Sequence, residues 1–414
     1  MMVNGIRIGF FGSFYPLVDR LSTTSTGLVT LFSMSEKIEN VIVFSPLSSV
    51  TPIGIDTSKV SMIPSWRYDS VISLLKTLSK MIRMKEDVDV YFFNIFLTSF
   101  GSSGRANVTG LLLPTLLAKL TGKRVCTYMH NFIETQDIEK LGYERKWLAT
   151  KIAGMLERLI ANNTSLIVPL ESQRLALETL FQNKVHSIVI PYVEGLYSFM
   201  CNHDVVYNSK NSNCDSLSFL LFGSWGPQKD LEGALTIFRE LIAEGKKIQV
   251  VIGGGVNSNF PEYDRKIEKI IDDFPFKCVR WIKSVSEESV SELFSCSDVL
   301  FLPYHAAGGY SAVMNVGAFY GIKIAAYDIH ELRELDSIIG AGCVFVDPSD
   351  RNMVKETLIK MAEDPRNARN IDSQILRMNL QKSLVAIDDL IGMMIEDKNP
   401  SIQRMNNFQN THHQ

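Results

Sequence analysis

The chain has 414 residues, 46% of them hydrophobic and 21% charged, a composition that excludes a disordered or fibrous chain and leaves room for two domains with substantial cores. Its net charge of -3 gives no basis for general nucleic-acid binding, so nucleic acid is not an expected partner. The charge is unevenly placed, with 20 Lys and Arg against 16 Asp and Glu in residues 1–195 and 22 against 29 in the remainder.

The opening MMVNGIRIGFFGSFYP lacks the apolar core of a secretory leader, and no apolar run reaches the roughly 20 residues of a spanning helix. Cys126, Cys201, Cys214, Cys278, Cys296 and Cys343 form no CxxC pair and have no His at zinc spacing. We therefore expect a cytoplasmic protein with free thiols, any membrane contact being peripheral. In the first half, apolar runs at 6–11, 41–44, 88–93, 125–129, 166–168 and 185–190 alternate with amphipathic stretches such as 27–37 and 70–84. The alternation predicts parallel strands joined by crossover helices.

Residues 201–216, CNHDVVYNSKNSNCDS, are polar and have nothing to bury, so they read as a linker. The second half repeats the pattern, with strands expected at 217–222, 248–252, 279–282, 299–302, 322–326 and 344–346. The expected organisation is α/β: two Rossmann-like, doubly wound parallel-sheet domains, 1–200 and 217–374. A helix follows at about 375–398, and then a disordered tail, 399–414, in which His412 and His413 are not expected to bind metal.

Two stretches carry candidate chemistry. In LLFGSWGPQKDLEGALTIFRELIAEGKK a strand ends at Gly223, Asp230 caps a helix, and Leu231, Ala234, Leu235, Phe238, Leu241 and Ile242 form its apolar face. Lys229 then stands at the carboxyl edge of the sheet, within reach of an anion. From Ser297 to Asp336 the chain reads strand, glycine turn, helix, strand. The apolar run 299–302 ends at Pro303, Gly308 and Gly309 allow a tight turn, and Ser311 caps a helix running to Gly321. Backbone N–H groups at such a helix start suit a phosphate; the alternative is a buried helix whose glycines serve close packing.

The pieces LFLPY, GGYSAV, GAFYGIKIAA and HELREL, in this layout, resemble the signature segment of the family-4 retaining glycosyltransferases. The resemblance implies the GT-B fold, two domains facing across a cleft, with the final helix crossing back to brace the first. It also implies a hexosyl transfer with retention, from a nucleoside-diphosphate sugar to a glycan, lipid-linked or other hydroxyl acceptor. UDP and GDP are the expected bases, and neither cofactor nor metal is called for. Carried over by motif, Lys229 contacts the diphosphate and His130 the donor sugar as catalytic residues. The donor pocket is expected from Gly12, Gly27 (with Thr26 at a helix start), Gly223, Ser224, Gly253 and Gly254. To these the resemblance adds Trp281 and Ile282 beside the base, and Gly308, Gly309, Tyr310, Ser311 and Ala312 around the diphosphate.

The chain departs from the family pattern in two places. The Arg that follows the strand-ending glycine is Ser224 here, and the two glutamates spaced eight apart fall on Gly308 and Val316. Glu334, in Arg333–Glu334–Leu335, is the candidate remaining carboxylate. The alternatives are a catalytically inactive GT-B scaffold or regulatory protein, and a sugar-nucleotide epimerase. Three other features read as structural. DVDV, 87–90, is a strand start rather than a metal-binding DxD, and Glu171 is a helix cap. The stretch from Glu144, with Leu148, Ile152, Met155, Leu156 and Leu159 among Arg145, Lys146, Lys151 and Arg158, packs a core face, contact with anionic lipid being the alternative. The basic first domain makes that peripheral membrane contact, or a lipid-phosphate-linked or anionic acceptor, an expectation.

Overall fold

A computed structural model describes residues 5–15, 20–52, 55–133, 139, 147–195, 216–257, 260–275, 278–364 and 373–396. Apart from Ser216, the expected linker lies outside the described residues, as do the expected tail, Cys201, Cys214, Arg145 and Lys146. Two compact units emerge, one from Met1–Gln136, Arg145–Val193 and Gln381–Gln414, the other from Asp137–Glu144 and Glu194–Leu380.

The first unit is built on strands β1 (Ile6–Gly12), β2 (Ile38–Pro46), β3 (Val60–Trp66), β4 (Val90–Ile95), β5 (Arg124–Met129), β6 (Ser165–Val168) and β7 (His186–Ser187). They form one parallel sheet in the order β3-β2-β1-β4-β5-β6-β7. Helices α1 (Arg20–Met34), α2 (Val71–Arg83), α3 (Gly104–Thr121), α4 (Trp147–Asn163) and α5 (Glu171–Phe181) cover it. The central strands β1 and β4 are apolar almost throughout, as a sheet buried on both faces requires, and Phe10, Phe11, Phe92 and Phe93 are fully buried. Phe11 stacks on Trp66 at 5.6 Å and meets Phe93 at 5.0 Å.

Three expectations need correction. The helix expected over 27–37 begins at Arg20, so Thr26 and Gly27 lie mid-helix in α1. Its Ser/Thr-rich sequence stays helical because hydroxyls bond back one turn, Thr26 to the Ser22 carbonyl and Thr30 to that of Thr26, each at 2.8 Å. The strand expected over 185–190 shrinks to the two-residue edge strand β7. Edge strand β3 was not expected at all, because VSMIPSW is half polar and carries Pro64, which an edge tolerates.

The second unit has β8 (Leu217–Phe222), β9 (Ile248–Gly253), β10 (Val279–Ile282), β11 (Val299–Leu302), β12 (Lys323–Tyr327) and β13 (Val344–Val346). They too are parallel, in the order β10-β9-β8-β11-β12-β13. Around them lie α6 (Leu231–Ala243), α7 (Pro261–Asp272), α8 (Glu287–Cys296), α9 (Ala312–Phe319), α10 (His330–Ile339) and α11 (Arg351–Glu363). The inward face of α6 is Leu231, Ala234, Leu235, Ile237, Phe238 and Leu241, and Phe238 meets Phe219 at 5.0 Å and Phe301 at 6.4 Å.

The last helix, α12 (Ser373–Glu396), joins the first unit from Gln381 on. There Ile387, Leu390, Ile391 and Met394 are buried, and Arg124 Nη2 donates to the Met393 carbonyl at 3.0 Å. Among the described residues no helix is long and apolar enough to cross a membrane.

Candidate functional site

In each sheet the chain first steps outward on one side and then returns to the other side of its first strand. The resulting switch points, between β1 and β4 and between β8 and β11, are where open α/β sheets leave a crevice at their carboxyl ends.

At the second switch point, Gly223 follows β8 with φ 139, its N–H donating to the Gly253 carbonyl at 3.0 Å, while the Gly254 N–H donates to that of Ile282 at 2.9 Å. The ends of β8, β9 and β10 are thereby stitched together so closely that a Cβ on Gly254 would collide with the Gly223 carbonyl oxygen. This edge is backbone rather than side chain, which lets a bulky ligand approach. Lys229 closes the 3₁₀ turn Pro227–Lys229 and folds back over it. Its Nζ lies 2.9 Å from where a Gly223 Cβ would be, 4.9 Å above the Tyr304 ring and 5.9 Å above Trp225. Val313, in the first turn of α9, flanks the same Gly223 position at 3.5 Å. The ammonium group and the α9 start therefore meet at a single glycine. Ser224, beside them, is exposed.

The loop between β11 and α9 carries Gly308 and Gly309, the latter at φ 121, and Ser311 caps α9 by accepting the Met314 N–H at 3.3 Å. Ala312 is the first helical residue. The glycine that serves close packing is Gly317, where a Cβ would lie 2.7 Å from Leu300 Cδ2, so the two readings of this stretch apply to different glycines. Behind the loop lies a carboxylate that the sequence did not flag. Glu194, 1% exposed, accepts from Tyr310 Oη and Asn315 Nδ2 on the same Oε2, both at 2.6 Å, and Asn315 Nδ2 also donates to Tyr310 Oη. Asp230 caps α6 through the Gly233 N–H at 3.0 Å. Beside it His305 Nε2 stands 3.2 Å from Asp230 Oδ2, its ring stacked on Tyr327; burial, followed by the Asp230 charge, pushes the Tyr327 hydroxyl pKa upward.

Trp281 and Ile282 border the same stitched edge on the β10 side. Trp281 is half-buried against the core, its indole N–H given to the Gly254 carbonyl at 2.8 Å and its ring 4.6 Å below Lys283 Nζ. Ile282 is half-buried beside it. Glu334 sits in the second turn of α10 rather than at its start, 12% exposed and 3.9 Å from His330.

At the first unit's switch point, His130 follows β5 and is 1% exposed. Its Nε2 bonds Asn94 Oδ1 at 2.6 Å, Asn94 Nδ2 donates to Ser25 Oγ at 2.8 Å, and a Cβ on Gly12 would reach that hydroxyl at 2.9 Å. Gly12 and His130 therefore come together, joined by Ser25 and Asn94, in a buried cluster rather than on an open surface. Gly27 is separate, since a Cβ there would collide with the Val193 carbonyl. Glu171 does not cap α5. Arg174 and the Ser187 hydroxyl hold it instead, lowering its pKa to about 2. Asp89, of DVDV, accepts Arg7 Nε on Oδ2 at 3.1 Å and Nη2 on Oδ1 at 2.8 Å. Among the described residues no three His, Cys, Asp or Glu side chains gather as metal ligands.

No family model matches the chain, and no curated protein matches it. Solved structures do. Anabaena HepE in complex with UDP and glucose is 10% identical and covers 95% of this chain and 100% of its own, with a TM-score of 0.64. The UDP-forming α,α-trehalose-phosphate synthase from Burkholderia vietnamiensis is 10% identical, covering 95% and 97%, at 0.61. Sucrose-phosphate synthase from Thermosynechococcus elongatus is 11% identical, covering 98% and 99%, at 0.58. At such identities the likeness is one of architecture, and with the two parallel sheets it establishes that this chain has the GT-B fold.

Proposed function

We propose that this chain is a glycosyltransferase that moves a hexosyl group, with retention, from a nucleoside-diphosphate sugar to a glycan, lipid-linked or other hydroxyl acceptor. The observation that carries the reading is the meeting of Lys229, Gly223 and the first turn of α9 at the β8/β11 switch point. A sugar that leaves its diphosphate throws negative charge onto the leaving group. An ammonium and the amide end of a helix are what stabilise such charge as it grows. The stripped glycine edge Gly223, Gly253 and Gly254 gives the donor room. Uridine is the base best supported, because HepE structures hold UDP and UDP-glucose and a trehalose-phosphate synthase of the same fold is UDP-forming. His130, buried in its cluster, is assigned here to positioning the first unit's strand ends.

A second reading, a GT-B scaffold without catalysis, is favoured by one observation: neither Gly308 nor Val316 offers a carboxylate where the resembled family has two. Ligand-observed NMR with UDP, GDP and ADP, then mass analysis of products from a donor and acceptor panel, separates the readings. Binding of UDP that Lys229→Ala abolishes, with a glycosylated product, is the expected result. Binding without turnover supports the scaffold, turnover without acceptor an epimerase, and no nucleotide binding at all refutes the transferase.

A further inference from the structure

Helices α2, α3 and α4 pack side by side on one face of the first unit's sheet, and their outer surface is unusual in two independent ways. Its helices carry cations and no exposed acid. The three helices carry Lys76, Lys80, Arg83, Arg105, Lys119, Lys151 and Arg158, all exposed, and a single acid, Glu157, which is 0% exposed and accepts the Ile133 N–H. No exposed carboxylate lies on any of the three. Among the described acids near their ends and on α5, Asp69 is engaged by the Ser103 N–H and Glu171 and Glu178 by Arg174, Glu86 stands next to Lys85, and Asp87 and Glu139 are exposed.

The surface is also apolar where a soluble face should not be. The inward stripe of α4 is Gly154, Leu156, Glu157, Ile160 and Ala161, so Leu148, Ile152 and Met155, expected to pack the core, face outward instead. Trp147 is 67% exposed, Leu148 63% and Met155 71%, with Ile152 between them. Lys151 Nζ sits 4.2 Å over the Trp147 ring, and Ile72 on α2 and Leu120 on α3 are exposed as well. An indole under an ammonium, next to aliphatic side chains and among exposed cations, matches the boundary between acyl chains and anionic headgroups.

We propose that the outer face of α2, α3 and α4 docks this protein on an anionic lipid bilayer, α4 lying in the headgroup boundary with Trp147, Leu148, Ile152 and Met155 toward the acyl chains. A protein partner would have to be acidic and apolar over the same patch, whereas a bilayer containing acidic phospholipid supplies both properties at once. The inference does not depend on the transferase reading, and its test does not measure turnover.

The full chain is mixed with vesicles of phosphatidylcholine alone or of phosphatidylcholine with phosphatidylglycerol, then sedimented at low and high salt. Binding to the anionic vesicles that weakens with salt is expected, together with a blue shift in tryptophan emission. Trp66 and Trp225 are 0% exposed and Trp281, in the second unit, is half-buried with its indole N–H bonded to Gly254, so the shift that Trp147 contributes is the part that should vanish in Trp147→Phe. Lys80→Gln with Lys151→Gln should weaken partitioning by about 10-fold or more, and Leu148→Glu with Met155→Glu should abolish it; all four side chains are exposed, so folding is spared. Equal binding to neutral vesicles, no binding at low salt, or binding indifferent to these substitutions overturns the proposal. So does a dimer in sedimentation velocity that Met155→Glu dissociates, because the face would then belong to a second copy.

Discussion

A carboxylate buried to 1% exposure needs donors, and Glu194 finds two of them in Tyr310 and Asn315, both at the start of α9. It ties Tyr310, just before α9, to Asn315 within the helix. Tyr310→Phe removes one donor from the buried carboxylate and should cost about 1–3 kcal/mol in chemical unfolding, with weaker UDP binding alongside; an unchanged midpoint would show that Glu194 is satisfied without Tyr310. Lys229→Ala removes a charge-assisted hydrogen bond of about 1.5–3 kcal/mol, so turnover should fall by roughly 10- to 150-fold; sugar-nucleotide consumption at the full rate would refute its role. The exposed Ser224 permits the opposite experiment. Ser224→Arg adds a cation beside Lys229 and should tighten UDP binding in a calorimetric titration. Lys229 could be picked out from the sequence because strand end, loop and helix cap lie within eight residues of one another. Glu194 could not, because it stands 116 residues from Tyr310 and no local pattern marks such a pairing.

Elements follow the same division between local and distant causes. The inward face of α6 was readable because a helix repeats its burial every 3.6 residues. The start of α1 was misplaced because serine and threonine side chains usually signal caps, and only the folded helix shows them bonding back to Ser22 and Thr26. Periodicity in α4 gives an apolar stripe but not the side that carries the neighbours, so Leu148, Ile152 and Met155 look like core in the sequence although they face outward. The strand ends β8, β9 and β10 show the cost of removing local freedom. Gly254, at φ 93, has no space for a Cβ against the Gly223 carbonyl, so Gly254→Ala should destabilise by more than about 1 kcal/mol and part the edge that carries Lys229. Thermal unfolding and UDP titration on one sample check both, and a variant that keeps its affinity would separate the stitched edge from the site. Acid unfolding tests α5. The Glu171 pKa is held at about 2, below its usual 4.5, first by Arg174 and then by Ser187. The stabilisation is therefore complete above pH 4.5 and lost as pH falls toward 2. Glu171→Gln should flatten the stability curve in that window, modestly because the pair is exposed.

At the scale of the whole chain, the alternation of apolar runs and amphipathic stretches, repeated twice, was enough to indicate two parallel sheets, because each crossover is local. The return of the last helix to the first unit is not local. From Gln381 on, α12 buries Ile387, Leu390, Ile391 and Met394 among residues more than a hundred positions earlier. Ser383 Oγ donates to the Pro191 carbonyl at 2.7 Å, and Asp388 holds Ser35 and Lys37, each at 3.1 Å. Four buried aliphatic side chains at about 1.5–3 kcal/mol each amount to roughly the entire 5–15 kcal/mol stability of a domain. A chain ending at residue 380 should therefore lose the first unit's cooperative unfolding transition while keeping that of the second, whose core, around Phe219, Phe238 and Phe301, the deletion does not touch. Leu390→Ala, at about 2–5 kcal/mol, should lower the same transition without erasing it. Differential scanning calorimetry of the three proteins decides the matter: if the truncated chain melts as the full one does, α12 merely rests on the first unit, and the burial of its last turns contributes nothing to folding.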